Sequence, residues 1–293
     1  MRFAVLTSLL ATAITALPLE PRQNVSTGTG SGIYPARNPD NRQNRNFILT
    51  YIPLVANSRG HSKHYTTDHT LAKHTIYMPV NPPPDVKLPV VVWGNGACLA
   101  NGLRFQDFLT EIASHGYIAI ASGAPNGTGN TTSRWMTDSI DWVGKHAGKG
   151  RYATVDAKRI VAAGQSCGGL ETYDQKNDPR IRGLGIFNSG LRNNTMAWQT
   201  SQSPCFTFWA GERDYKNLPA GTPSWKGNQP VGHAGTYRQL YGGTFGVAAV
   251  KWLDWLLKGD ATAADFFKGD GAVAAGWVVE SKNLDKVPVA AAP

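Results

Sequence analysis

The feature that most narrows the folds open to this chain is a series of short, unbroken apolar runs. They are "LPVVVWGNG", "YIAIAS", "RIVAAG", "IRGLGIFNSG" and "SPCFTFWAG". A strand with one wet face alternates apolar and polar residues. These runs do not alternate, so both faces of each strand must be covered. Helical stretches lie between them. In "RFQDFLTEIASHG", Phe105, Phe108, Leu109 and Ile112 recur at helical spacing, and Gly116 ends the run. "DSIDWVGKHA" and "SCGGLETYDQ" also read as helices. In "TFGVAAVKWLDWLLKG", Phe245, Ala248, Ala249, Trp252, Leu253 and Leu256 make one apolar face, with Gly259 as the stop. Strands that alternate with helices predict an α/β fold with a mostly parallel, doubly wound sheet and helices on both faces. "HTIYMPV" adds a strand, ended by the prolines of "NPPP". With 293 residues, 41% of them hydrophobic and 17% charged, the chain can bury such a core. No repeat or composition shift marks a second domain.

The N-terminus follows different rules. "MRFAVLTSLLATAITALPLEPR" has a basic Arg2, an apolar stretch from Phe3 to Leu10, and small residues at Ala11, Ala13 and Ala16. This predicts a secretory signal over residues 1–16. Residues 17–64 read as a pro-segment and irregular arm, polar and weakly periodic, and residues 65–293 as the folded domain. Candidate glycosylation sites at Asn24, Asn126, Asn130 and Asn193 agree with export from the cell. No later apolar run is long enough to cross a membrane. The net charge is +9, but no block of Lys/Arg exceeds two residues. A solvated basic surface is expected, with no nucleic-acid arm. The histidines at 61, 64, 69 and 74 fit no strong ligand spacing, so no metal and no cofactor are expected. Trp93 and Trp135 are expected at a pocket, and Cys205 in the core.

"RIVAAGQSCGG" carries the chemistry. Gly164-Gln165-Ser166-Cys167-Gly168 fits G-x-S-x-G, a weak pattern in a chain with 32 glycines. Context strengthens it, because "RIVAAG" supplies a strand and "GGLETYDQ" a helix. A serine on that turn has its hydroxyl exposed at the end of a sheet. It needs a base to become nucleophilic. In the order Ser, acid, His, only His233 follows Ser166, in the glycine-flanked "PVGHAGTY". The acid must lie between them. Glu171 and Asp174 sit on the helix after the serine and are expected to face solvent, and Asp178 precedes a strand. Glu212 and Asp214 follow "CFTFWAG", at the carboxyl end of a strand, where sites on parallel sheets gather. Asp214 is the choice, with Glu212 in reserve. The backbone N–H of Cys167, and that of Cys98 or Ala97 in the turn after "VVVW", are the expected oxyanion donors.

With these residues placed, the chain resembles an α/β-hydrolase of the branch that holds chlorophyllases, dienelactone-hydrolase-like enzymes and polyester (PET) hydrolases. "PVVVWGNGAC", "FLTEIASHGYIAIASG", "RIVAAGQSCGG" and "GERD" match it in order. "WGNG", "SCGG", "VGHAGTY" and "WLLKGD" make it most similar to secreted fungal esterase-like proteins. The resemblance spans residues 65–283. It implies an α/β-hydrolase fold, a Ser166–Asp214–His233 triad, and hydrolysis of a small or polymer-attached carboxylic ester through an acyl-enzyme. Gln165 stands where polyester hydrolases of the branch often carry an aromatic residue or His, which argues against polymer cleavage. Two other readings keep the scaffold: a lactonase or peptidase with the same triad, and a secreted binding protein or effector without activity. Cys98 and Cys167 would both flank the oxyanion site, close enough there for a disulfide, with two buried thiols as the alternative.

Overall fold

A computed structural model describes residues 30–34, 65–191, 203–209 and 211–290. The signal stretch, most of the arm, and the sequons at Asn24 and Asn193 lie outside the described residues. The strands are β1 (His74–Tyr77), β2 (Leu88–Gly94), β3 (Ile118–Ser122), β4 (Val155–Gln165), β5 (Ile181–Phe187), β6 (Cys205–Phe208), β7 (Ser224–Asn228) and β8 (Val278–Lys282). They form one eight-stranded sheet in the order β1-β3-β2-β4-β5-β6-β7-β8. From β3 to β7 every pairing is parallel, and β1 and β8 close the two edges antiparallel. The fold is therefore α/β with a mostly parallel sheet, as the unbroken apolar runs require.

The helices are α1 (Gln106–Ser114), α2 (Ser133–His146), α3 (Cys167–Tyr173), α4 (Glu212–Asn217), α5 (Gly243–Lys258), α6 (Ala261–Lys268) and α7 (Gly271–Ala274). They divide between the two sheet faces. Val90, Val92, Ile118 and Ile120 point one way, into a cluster with Met136 and Ile140 of α2 and Tyr173 of α3. Val91, Trp93, Val161 and Phe187 point the other way, onto Phe108 and Leu109 of α1 and Trp252 and Leu256 of α5. The second cluster is aromatic. Phe187 and Phe208 stack at 4.3 Å. Trp252 lies against Gly185, where a Cβ would come within 2.7 Å of its ring. Truncating a side chain buried this fully costs about 3–5 kcal/mol. Trp93 belongs to this core and is fully buried, which corrects the expectation of a pocket residue. Its neighbours Phe105, Phe108 and Phe187 enclose it. Trp135 instead packs at a tilt against His74, with ring centroids 5.8 Å apart. Cys205 is a buried free thiol in the core.

Successive parallel strands lie on opposite sides of β2: β3 on one side, β4 on the other. That reversal opens a crevice at the carboxyl ends of β2 and β4, where ligands of open parallel sheets bind. At the opposite end of the sheet, a piece of the arm is tied down. Ser31 N–H donates to Glu111 Oε2 at 2.6 Å, and Tyr34 N–H to the Ser114 carbonyl at 2.9 Å. Asn126 and Asn130 are exposed on the loop before α2.

Candidate active site

The crevice is built from three turns. The first follows β4. Ser166 has φ 54° and ψ −116°, a conformation that L residues rarely hold. Glycines make it feasible. A Cβ on Gly168 would sit 2.1 Å from the Gly94 backbone, and one on Gly164 would sit 2.3 Å from the Gly168 carbonyl. The strand, the turn and α3 therefore pack backbone to backbone. The turn is also anchored on the next strand. Ser166 N–H donates to the Phe187 carbonyl at 3.0 Å, and Ser189 Oγ donates to the Ser166 carbonyl at 2.6 Å.

The second turn follows β7 and carries His233, which is exposed. Its Nε2 lies 2.9 Å from Ser166 Oγ, hydrogen-bond reach for proton transfer. Two side chains hold this loop in place. Gln165 Nε2 donates to the His233 carbonyl at 3.0 Å, and Asn188 Nδ2 to the Gly232 carbonyl at 3.1 Å. Tyr237 Oη in turn donates to Asn188 Oδ1. Sequence reasoning weighed Gln165 only against polymer cleavage and passed over Asn188 and Tyr237, whose contacts join segments far apart in sequence.

The third turn follows β2. Ala97 and Cys98 both have positive φ, 56° and 50°. Cys98 and Cys167 are joined by a disulfide, with Cα atoms 5.1 Å apart. This bond sets the turn beside the first residue of α3, whose N–H has no acceptor within the helix. Of the two donors expected in this turn, Cys98 already has an acceptor, which weighs against it. Its N–H closes the turn onto the Asn95 carbonyl at 3.1 Å. Ala97 itself lines the crevice at Ser166, so its N–H remains the expected donor.

Asp214 is 2% exposed on α4, at the carboxyl end of β6. Its Oδ2 accepts from Tyr173 Oη at 2.6 Å and from the Leu191 N–H at 2.8 Å. Burial pushes its carboxyl up. The two hydrogen bonds and nearby Arg213 offset this only in part. Among the described residues, no carboxylate is hydrogen-bonded to His233 Nδ1. Asp214 shares a cavity with His233 instead, because its carboxylate is drawn toward the donors on α3 and on the segment after β5. Glu212 lines the same cavity but accepts from Asn228 Nδ2 at 2.6 Å. Asp174 is exposed, and Asp178 pairs with Arg180. Glu171, expected in solvent, is 5% exposed and hydrogen-bonded inside the protein.

Two cavities meet at the Ser166–His233 pair. One, of 680 Å³, runs past Leu170, Ser189 and Asp214. The other, of 570 Å³, runs past Phe105, Tyr237, Arg104 and Arg238. Ala97, Ser166 and His233 line both. No protein-family model matches this chain, and no curated protein matches it.

Proposed function

We propose that this chain is a secreted serine hydrolase of carboxylic esters on an α/β-hydrolase fold. One observation carries the reading: Ser166 Oγ stands 2.9 Å from His233 Nε2, on a positive-φ strand-to-helix turn at the switch point of a parallel sheet. A buried structural serine has no use for such a turn, whose strain must be offset elsewhere. His233 takes the hydroxyl proton as Ser166 attacks the ester carbonyl. The N–H groups of Cys167 and Ala97 hold the oxyanion. His233 then protonates the leaving alcohol, and water, activated by the same imidazole, releases the acid. The alcohol and acyl parts have separate room, because the two cavities diverge from Ser166. Asp214 supplies negative charge beside the cavity, and imidazolium formation would draw on it. The disulfide fits an oxidising compartment. Among the described residues no helix is long and apolar enough to cross a membrane.

The test is hydrolysis of p-nitrophenyl acetate, butyrate and octanoate by the mature protein and by Ser166→Ala. Turnover by the wild type, reduced at least about 10³-fold in the variant, is the expected result. A folded wild type without turnover would turn the reading to a binding protein on the same scaffold. That no carboxylate among the described residues is hydrogen-bonded to His233 Nδ1 is what favours that second reading.

A further inference from the structure

Glu171 is a buried acid that the hydrolytic steps do not use. It lies four residues after Cys167 on α3, so the two side chains share one face of the helix. That face meets the turn after β2. Cys167 grips the turn through the disulfide to Cys98. Glu171 grips it by a second route. Its Oε1 accepts from Thr131 Oγ1 at 2.7 Å, and the Thr131 N–H donates to the Cys98 carbonyl at 2.7 Å. Thr131 is itself buried. Glu171 Oε2 would lie 3.1 Å from a Cβ on Gly94, so the carboxyl rests over the end of β2. That oxygen is buried and meets no donor among the described residues.

Keeping an acid there is costly, since a buried carboxyl with one partner loses most of its hydration. Burial pushes the group up. The Thr131 hydroxyl works against this, and Asp174 at the C-terminal cap of the helix adds to it. The turn it braces is strained, with two consecutive non-glycine residues at positive φ. Without its ties such a turn relaxes toward ordinary backbone angles. Both ties meet at Cys98, and the residue that would swing is its neighbour Ala97.

We propose that Glu171 is a positioning residue for the oxyanion site. Through Thr131 it fixes the Cys98 carbonyl, so that the Ala97 N–H stays aimed at the atom that becomes negative. The proposal rests on the esterase reading above. Because the oxyanion donor acts in the transition state, loss of the brace lowers kcat and leaves KM nearly unchanged.

The experiment compares wild type, Ser166→Ala, Glu171→Gln, Glu171→Leu, Thr131→Val and Thr131→Ser. Each is assayed for kcat and KM on p-nitrophenyl butyrate, and for affinity toward phenylboronic acid, whose serine adduct is a tetrahedral boronate with an oxygen at the oxyanion position. Full loss of an oxyanion donor costs roughly 10²–10³ in kcat. Misaiming one is expected to cost about 10–100-fold. Glu171→Leu and Thr131→Val should each show that fall, with KM within about twofold and weaker boronate binding. Their double variant should be no worse than either alone, because both cut one chain of contacts. Glu171→Gln and Thr131→Ser keep the hydrogen bond and should retain most of kcat. If Glu171→Leu does not fold, Thr131→Val against Thr131→Ser decides alone. A Ser166-dependent wild type whose kcat is indifferent to Glu171→Leu and Thr131→Val overturns the positioning role and leaves the esterase standing. So does additive loss in the double variant. A wild type without Ser166-dependent turnover overturns both.

Discussion

Replacing Cys98 and Cys167 together by alanine removes a bond that spans 69 residues of sequence. In the unfolded chain that bond closes a large loop. The chain-entropy relation, with a constant of 2.1 and a logarithmic term in loop length, gives about 15 cal/mol/K, or about 4 kcal/mol at 25 °C. The folded state loses less, because parallel pairing of Gly94 with Gly164 holds the ends of β2 and β4 together without the bond. Stability should therefore fall by about 4 kcal/mol through the unfolded state. For a domain of this size that is a melting-temperature drop of roughly 8–16 °C. Urea unfolding of the oxidised wild type, the wild type in reductant, and the double variant measures it. The last two should share a midpoint well below the first, and their slopes should rise as the unfolded chain expands. A wild-type midpoint that ignores reductant and matches the double variant would refute the reasoning, because the bond would then contribute nothing to folding. Double replacement avoids leaving a lone reactive thiol beside Ser166.

Other consequences can be measured on the same preparations. Gly168→Ala places a Cβ 2.1 Å from the Gly94 backbone. Neither backbone can yield cheaply, so the variant should lose ester turnover and about 1–3 kcal/mol of stability; a variant as active as wild type would show that the serine turn tolerates displacement. Asp68 is held at about 2: burial opposes this, but hydrogen bonds from Thr70 and Tyr152 and the charge of Arg151 win. Its folded value is depressed, so its stabilisation is present above the unfolded value near 4 and fades as pH falls toward 2. Asp68→Asn should cost at most roughly 2 kcal/mol at pH 6 and almost nothing at pH 2, read from urea midpoints at the two pH values. Arg104 and Arg238 make no ion pair among the described residues and line the cavity beside Ser166. A p-nitrophenyl ester with a terminal carboxylate should therefore show a higher kcat/KM than its neutral analogue. That advantage should shrink in Arg104→Ala/Arg238→Ala and at high salt; equal rates for both esters would remove any role for the pair.

What the chain reveals before folding, and what it does not, separates along physical lines. The parallel sheet was legible because burial on both faces makes the central stretches of β2 to β6 almost wholly apolar, with charged residues only toward the start of β4 and β5. The turn at Ser166 was legible because close backbone approach demands glycine at positions 164 and 168. Residue order alone paired Ser166 with His233. β7, "SWKGN", was not legible. Its Lys226 is buried only because Glu280 on β8 and the ring of Tyr215 receive it, and both come from distant segments. The partners of carboxylates were hidden for the same reason. Glu171 looks like a solvent-facing helix acid until α3 is laid against the turn after β2, where Thr131 meets it. Asp214 sits at the expected strand end, yet Tyr173 and the Leu191 N–H claim its oxygen. The choice between Cys98 and Ala97 as donor depended on which N–H the turn itself consumes. Local pattern determined the strands, the helices and the nucleophile. Which groups meet across the chain, and therefore which acids are buried and which amides are left free, was decided only by tertiary packing, because hydrogen bonds and desolvation act between neighbours in space.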